Sequence, residues 1–195
     1  GTFGPTNGVG YLVPVAQELL RLNSDIRILL VGEGKEKPRI IEQAEQAAVL
    51  GKNLFIEGML PKRDIPALLS AADMASALFI DLPEMRPNSA NKFFDALASG
   101  TPVMLNYGGW MHEMVQAKGC GLAMWRQSAA DVAAELDKKL HDKEWLAQAG
   151  KSARLLAEEH FDRDVLADQL IQVLQAAADG KAELAAQTAP GEYRF

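Results

Sequence analysis

Short apolar runs alternate with amphipathic stretches along most of the chain. The apolar runs, bounded by turn residues, predict strands at 26–31, 53–57, 74–80, 102–106 and 121–124. Apolar residues at helical spacing predict helices at about 9–22, 38–50, 64–71, 90–99, 110–118, 128–141, 143–160 and 163–178. Because strands and helices alternate, we expect an α/β fold with a parallel sheet flanked by helices, and extra helices after the last strand.

Composition narrows the class of protein. The chain has 195 residues and a formal net charge of −6, which argues against nucleic acid as a partner. The single cysteine, Cys120, forms no internal disulfide, and no apolar run is long enough to span a bilayer. We therefore expect a cytoplasmic protein and leave open a peripheral contact with the inner face of the cell membrane. Without linker or repeat, one domain is expected at 1–179, followed by a flexible tail at 180–195.

The turn before the fourth predicted helix is the strongest candidate for a binding site. Backbone N–H groups of Ser89, Ala90 and Asn91 stand at a helix start, where they and the helix dipole favour an anion. Lys92 puts a cation in the first turn, where it opposes the dipole and is mildly unfavourable by itself. An anion bound beside it would offset this cost. Asp95, three residues further on, can accept hydrogen bonds from both hydroxyls of a ribose. The same spacing also fits an ordinary helix whose Lys92 and Asp95 are solvated.

Glycine-containing loops follow or precede other predicted elements. The carboxyl ends of parallel strands are where open α/β sheets bind ligands, although each of these loops also fits a plain turn. The loops are Gly4 to Gly8 before the first helix, Gly32 to Gly34 and Gly58 to Leu60 after strands, and Gly108 to Trp110 after the fourth strand. We find no metal-ligand spacing, no P-loop and no nucleophile elbow in the sequence.

Taken in order, these motifs resemble the C-terminal, donor-binding domain of GT-B glycosyltransferases of the large retaining family four. The resemblance covers about residues 1–178 and rests on the first loop and on the stretches 28–34, 53–58, 65–73 and 93–103. It implies a Rossmann-like domain that forms one half of a GT-B fold and binds a nucleotide-sugar. The family's N-terminal acceptor domain is absent from this chain, and we expect the chain alone to be inactive.

The resemblance also implies a set of site residues, although it assigns no catalytic residue and no metal. The substrate is expected to be a nucleotide-sugar, more readily UDP-linked than GDP-linked, with no further cofactor. The implied contacts are Thr6, Asn7, Gly8, Ser89, Ala90, Asn91 and Lys92 for the diphosphate, Asp95 for the ribose, Gly58, Met59 and Leu60 for the base, and Arg86, Gly109 and Trp110 for the donor sugar.

Two departures from the family pattern keep an alternative open. The family has two glutamates separated by seven residues, where this chain has Pro87 and Asp95, and no Lys or Arg precedes Arg21 near the first loop. The expected function is sugar transfer to a glycan or lipid-linked acceptor in the biosynthesis of bacterial surface polysaccharide, including lipopolysaccharide. The alternative is a non-catalytic nucleotide-binding module or half of a GT-B-type sugar-nucleotide epimerase.

Overall fold

The computed structural model describes residues 1–180 and contains every strand and helix that the sequence predicts, with small shifts at their ends. The predicted tail lies outside the described residues except for Gly180. The strands are β1 (Ile28–Val31), β2 (Leu54–Glu57), β3 (Ala75–Ala77), β4 (Val103–Leu105) and β5 (Gly121–Ala123). The helices are α1 (Leu12–Arg21), α2 (Lys37–Gln46), α3 (Ile65–Ser70), α4 (Asn91–Ala98), α5 (Trp110–Lys118), α6 (Ala129–Leu140), α7 (Lys143–His160) and α8 (Arg163–Ala178).

All pairings between these strands are parallel, and helices cover both faces, so the α/β class is confirmed. The hydrogen bonds divide the strands into two ladders, β1–β2 and β3–β4–β5, where the sequence predicted one sheet. The N-terminal segment, to which the sequence assigned no strand, hydrogen-bonds beyond the end of one strand in each ladder. Phe3 N–H donates to Glu33 O beyond β1 (2.9 Å), and Ile80 N–H donates to Thr6 O beyond β3 (3.1 Å). This segment therefore connects the two ladders.

Two apolar cores lie on opposite faces of the strands. Neighbouring residues of β4 alternate between them, because successive side chains of a strand point to opposite faces. Met104 belongs to the core that α1, α2 and α6 cover. Val103 and Leu105 belong to the core that α4, α5 and α7 cover, which is centred on the fully buried Phe93. Because helices cover both faces, a ligand can reach the strands at their carboxyl ends, where open α/β sheets bind ligands.

Two glycines allow the N-terminal segment to approach the end of β1. A Cβ on Gly32 would overlap the carbonyl oxygen of Gly1, and a Cβ on Gly34 would overlap the backbone of Phe3. Their φ angles of 149° and 153° are ones that L side chains rarely adopt. The turn that the sequence marked as a candidate ligand loop is therefore also the place where the N-terminal segment packs.

Helix α8 exposes its more apolar face. Leu166, Leu170, Ile171 and Leu174 are all exposed, while the small side chain of Ala176 is buried. Among residues 1–180, no helix has both the length and the apolar character that crossing a membrane requires.

Candidate functional site

Three loops meet at the carboxyl edge of β3 and β4. The first loop lies over the end of β3, because Gly8, with φ of 57°, packs against the backbone of Phe79. The loop after β3 meets the loop after β4, since the backbone of Gly109 lies directly against the carbonyl of Arg86. Trp110 Nε1 donates to Asn88 O (3.2 Å). The structure thus brings together three loops that the sequence marked separately.

The start of α4 opens onto this edge. Ala90 is its N-cap residue, with extended backbone, and no side chain caps the helix. Lys92 lies in the first turn and is partly buried, with its stem against Gly1; a Cβ there would be 2.8 Å from Lys92 Cε. Burial lowers the pKa of Lys92, and no carboxylate in residues 1–180 forms an ion pair with it. A partly buried cation beside a helix start without a side-chain cap is an arrangement that can bind an anion.

Lys37, which the sequence did not single out, fixes the ends of β1 and β2. Its Nζ donates to Glu33 Oε1 (2.6 Å), to Gly32 O (3.2 Å) and to Glu57 O (3.3 Å). The only sequence signal was its position four residues after Glu33.

The adjacent loop at the end of β2 is exposed, and Met59 is the most exposed of its apolar side chains, at 72%. Gly58 lies beside Glu33, and the loop from Gly58 to Leu60 follows the carboxyl end of β2.

Trp125, beyond β5, was also missed by sequence reasoning. The Arg86 and Arg126 guanidinium carbons lie 4.9 and 4.5 Å from the centre of its ring. Trp125 Nε1 donates to Asp81 Oδ1 (2.9 Å), and Asp81 also pairs with Arg126 (3.6 Å). Gly108 makes room for the ring, because a Cβ there would lie 2.8 Å from its carbon atoms. Arg86 is thereby fixed by stacking, far in sequence from the tryptophan that holds it.

His112 borders the same ring. Its imidazole centroid is 5.9 Å from that of Trp125, in an edge-to-face arrangement. Burial lowers the pKa of His112, against the opposing effects of the nearby Glu113 carboxylate and of the Tyr107 backbone carbonyl. Its buried Nδ1 has no hydrogen-bond partner within residues 1–180. Burial therefore disfavours the charged form of the imidazole beside Arg86.

The other predicted site residues have distinct positions. Asn7 Nδ2 donates to Thr2 O (2.8 Å), so its amide closes the first loop. Asp95 is exposed on α4 and forms no ion pair with a described residue. Ser89 and Asn91 are exposed beside the open helix start. In the described part of the chain, no three His, Cys, Asp or Glu side chains are placed to hold a metal ion.

A separate groove of about 450 Å³ lies between the first loop, α2 and the ends of β3 to β5. Its lining includes Gly8 and Tyr11 but neither Lys92 nor Arg86. Its charged groups are paired, Arg39 with Glu36 (3.0 Å) and Arg126 with Asp81. The unpaired cations thus lie outside this groove.

The fold is that of GT-B glycosyltransferase domains. The crystal structure of Anabaena HepE in complex with UDP-glucose superimposes with a TM-score of 0.74 at 18% sequence identity, and the match covers 90% of this chain and 47% of that one. Residues 1–156 match the sequence profile described as Glycosyl transferases group 1, so the chain belongs to that family.

Two curated relatives agree with this assignment. The chain is 27% identical over 174 residues to a glycogen synthase of Mycobacterium tuberculosis, a match that covers 89% of this chain and 41% of that protein. It is 24% identical over 169 residues to the 2-deoxystreptamine glucosyltransferase of Streptomyces kanamyceticus, covering 87% of this chain and 40% of that protein. The chain thus spans about two fifths of the length of these relatives.

Proposed function

We propose that this chain is the donor-binding domain of a retaining glycosyltransferase that uses a nucleoside diphosphate sugar, preferably UDP-linked. The observation that carries the proposal is Lys92, a partly buried cation without an ion-pair partner in residues 1–180, at the uncapped start of α4. A diphosphate supplies the anion that both the lysine and the helix start lack. HepE, a structural neighbour, is described in complex with UDP-glucose, which supports the choice of base.

The donor would extend along the carboxyl edge of the strands. Its base would lie on Gly58, Met59 and Leu60, and Asp95 would hold the ribose. The diphosphate would contact the N–H groups of the first loop, at Thr6 to Gly8, and of Ser89 to Lys92. The donor sugar would lie against Arg86, Gly109 and Trp110.

These diphosphate contacts would also promote the reaction. Negative charge develops on the leaving diphosphate as the bond to the sugar breaks, so preorganised N–H groups and Lys92 stabilise the transition state more than the ground state. We propose that these groups meet the charge without a divalent metal.

The acceptor would be a glycan or a lipid-linked saccharide, bound mainly by the part of the protein that this chain does not include. We propose a role in bacterial surface polysaccharide biosynthesis, lipopolysaccharide included, in the cytoplasm or at the inner face of the cell membrane.

The alternative is a nucleotide-binding module without transferase activity, or half of a related epimerase. Pro87 is the observation that favours it, because a proline side chain cannot hydrogen-bond to a sugar hydroxyl.

Calorimetric titration of the 195-residue chain with UDP, GDP and uridine tests donor binding. We expect UDP to bind more tightly than either of the others, and a chelator to leave its affinity unchanged. If no nucleoside diphosphate binds, the proposal is wrong. If UDP binds but a chelator abolishes this binding, the metal-free part of the proposal is wrong. The full-length protein then separates the alternatives, because sugar transfer detected by mass spectrometry excludes a non-catalytic module.

A further inference from the structure

Arg86 is a second cation at this edge whose charge is not balanced. Its side chain is partly buried and stacked on Trp125, and its buried Nε has no hydrogen-bond partner among the described residues. No carboxylate in residues 1–180 pairs with it. Arg126 stacks on the same ring but is paired with Asp81. One positive charge in this group is therefore available to a ligand.

Arg86 and Lys92 point toward different parts of the edge. Lys92 lies against Gly1, whose amino group hydrogen-bonds to Val31 O at the end of β1. The backbone of Arg86 lies against Gly109, beyond β4, and its guanidinium stacks on Trp125, beyond β5. A donor with its diphosphate at Lys92 would therefore place its sugar, rather than its phosphates, closest to Arg86.

We propose that the donor sugar carries a carboxylate, so that the substrate class is a nucleotide-linked uronic acid whose carboxylate binds the Arg86 guanidinium. This inference rests on the proposed function and names the sugar in the same site. A planar guanidinium offers two parallel N–H donors that match a carboxylate. Stacking on Trp125 orients that fork before the substrate arrives, which reduces the entropy lost on binding.

A neutral sugar would leave Arg86 desolvated and unpaired in the complex, which costs free energy. The carboxylate that could otherwise neutralise it, Asp81, already accepts the Trp125 N–H and pairs with Arg126. The nearby His112 supplies no negative charge. The surroundings of Arg86 thus favour a sugar that brings its own anion.

Calorimetry of the 195-residue chain with UDP, UDP-glucose and UDP-glucuronate tests the inference. We expect UDP-glucuronate to bind about tenfold or more tightly than UDP-glucose. Arg86→Gln should remove this difference and leave UDP affinity unchanged. The matched control is Arg21→Gln, which removes an exposed arginine at the carboxyl end of α1, outside the group around Trp125, and should preserve the difference.

Each outcome separates the inference from the proposed function. If UDP does not bind the wild-type chain, the proposed function itself is wrong. If UDP binds but the two nucleotide-sugars bind equally, only the uronic acid is wrong. If Arg86→Gln weakens the binding of UDP as strongly as that of UDP-glucuronate, Arg86 contacts the diphosphate and the inference is also overturned. Should Arg86→Gln not fold, the wild-type comparison of the two sugars still decides.

Discussion

Replacing Lys92 with methionine tests the central contact of the proposed site. Methionine retains an unbranched apolar stem, so packing against Gly1 is largely preserved while the charge is removed. A hydrogen bond to a charged group contributes about 1.5 to 3 kcal/mol, which corresponds to a roughly 10- to 150-fold loss of UDP affinity. Uridine affinity should not change, because uridine has no phosphate for Lys92 to contact. Folding stability should stay the same or rise, since Lys92 has no ion-pair partner to lose in residues 1–180.

The same contact predicts a pH dependence. Burial lowers the pKa of Lys92 below its ordinary value of 10.5, so the free protein loses this proton earlier than an exposed lysine would. A bound diphosphate favours the charged form and raises that pKa again. UDP affinity should therefore fall as the pH rises through the lowered pKa, and Lys92→Met should remove this part of the profile.

Isothermal titration with UDP and uridine, repeated across alkaline pH, measures both effects. Lys52→Met is the matched control, because Lys52 is exposed at the opposite, amino end of β2. An equal loss of affinity for UDP and uridine, or an unchanged UDP affinity in Lys92→Met, would refute the assignment of Lys92 to the diphosphate.

Three further predictions concern the fold. Gly34→Ala should destabilise the chain by about 2 kcal/mol or more in urea unfolding, because the new Cβ would overlap Phe3. The control Gly51→Ala has a φ of 72° but nothing within 4 Å of its Cβ, so it should cost only about 1 to 2 kcal/mol. Equal costs for the two variants would contradict the packing argument. Burial raises the pKa of Cys120 to about 11, so a thiol reagent at about pH 8 should label it only after unfolding, and rapid labelling of the native chain would contradict its burial. The hydrogen bond from His141 to the Asp137 carbonyl and the contact of His141 with Asp25 raise the pKa of His141. These contacts therefore stabilise the folded chain fully below the unfolded pKa of about 6.5, and this stabilisation is lost as the pH rises through the folded pKa. His141→Gln should accordingly lower the melting temperature at about pH 5.5 but not at about pH 8.5, and a pH-independent difference would show that protonation is not involved.

Local sequence signals predicted the elements well because they depend on neighbouring residues. Ser128 and Asp131 form the predicted cap of α6, with Asp131 N–H donating to Ser128 Oγ (3.2 Å). The group around Trp125 could not be predicted in this way, since Asp81, Arg86 and Arg126 meet there only after β3, β4 and β5 have paired. The pairing of residues 1–6 with both ladders was missed because backbone contacts leave no periodic side-chain pattern.

The outward apolar face of α8 has a consequence for how the chain opens in solution. Its described contacts with the core are few, with Ala176 its buried residue, while Leu170 and Leu174 are 58% and 60% exposed. Separation of α8 from the rest therefore exposes little additional apolar surface, and its free energy of opening is expected to lie well below that of global unfolding. Backbone amides of α8 should exchange with deuterium long before those of β4, so α8 would unfold and refold many times within the lifetime of one folded core.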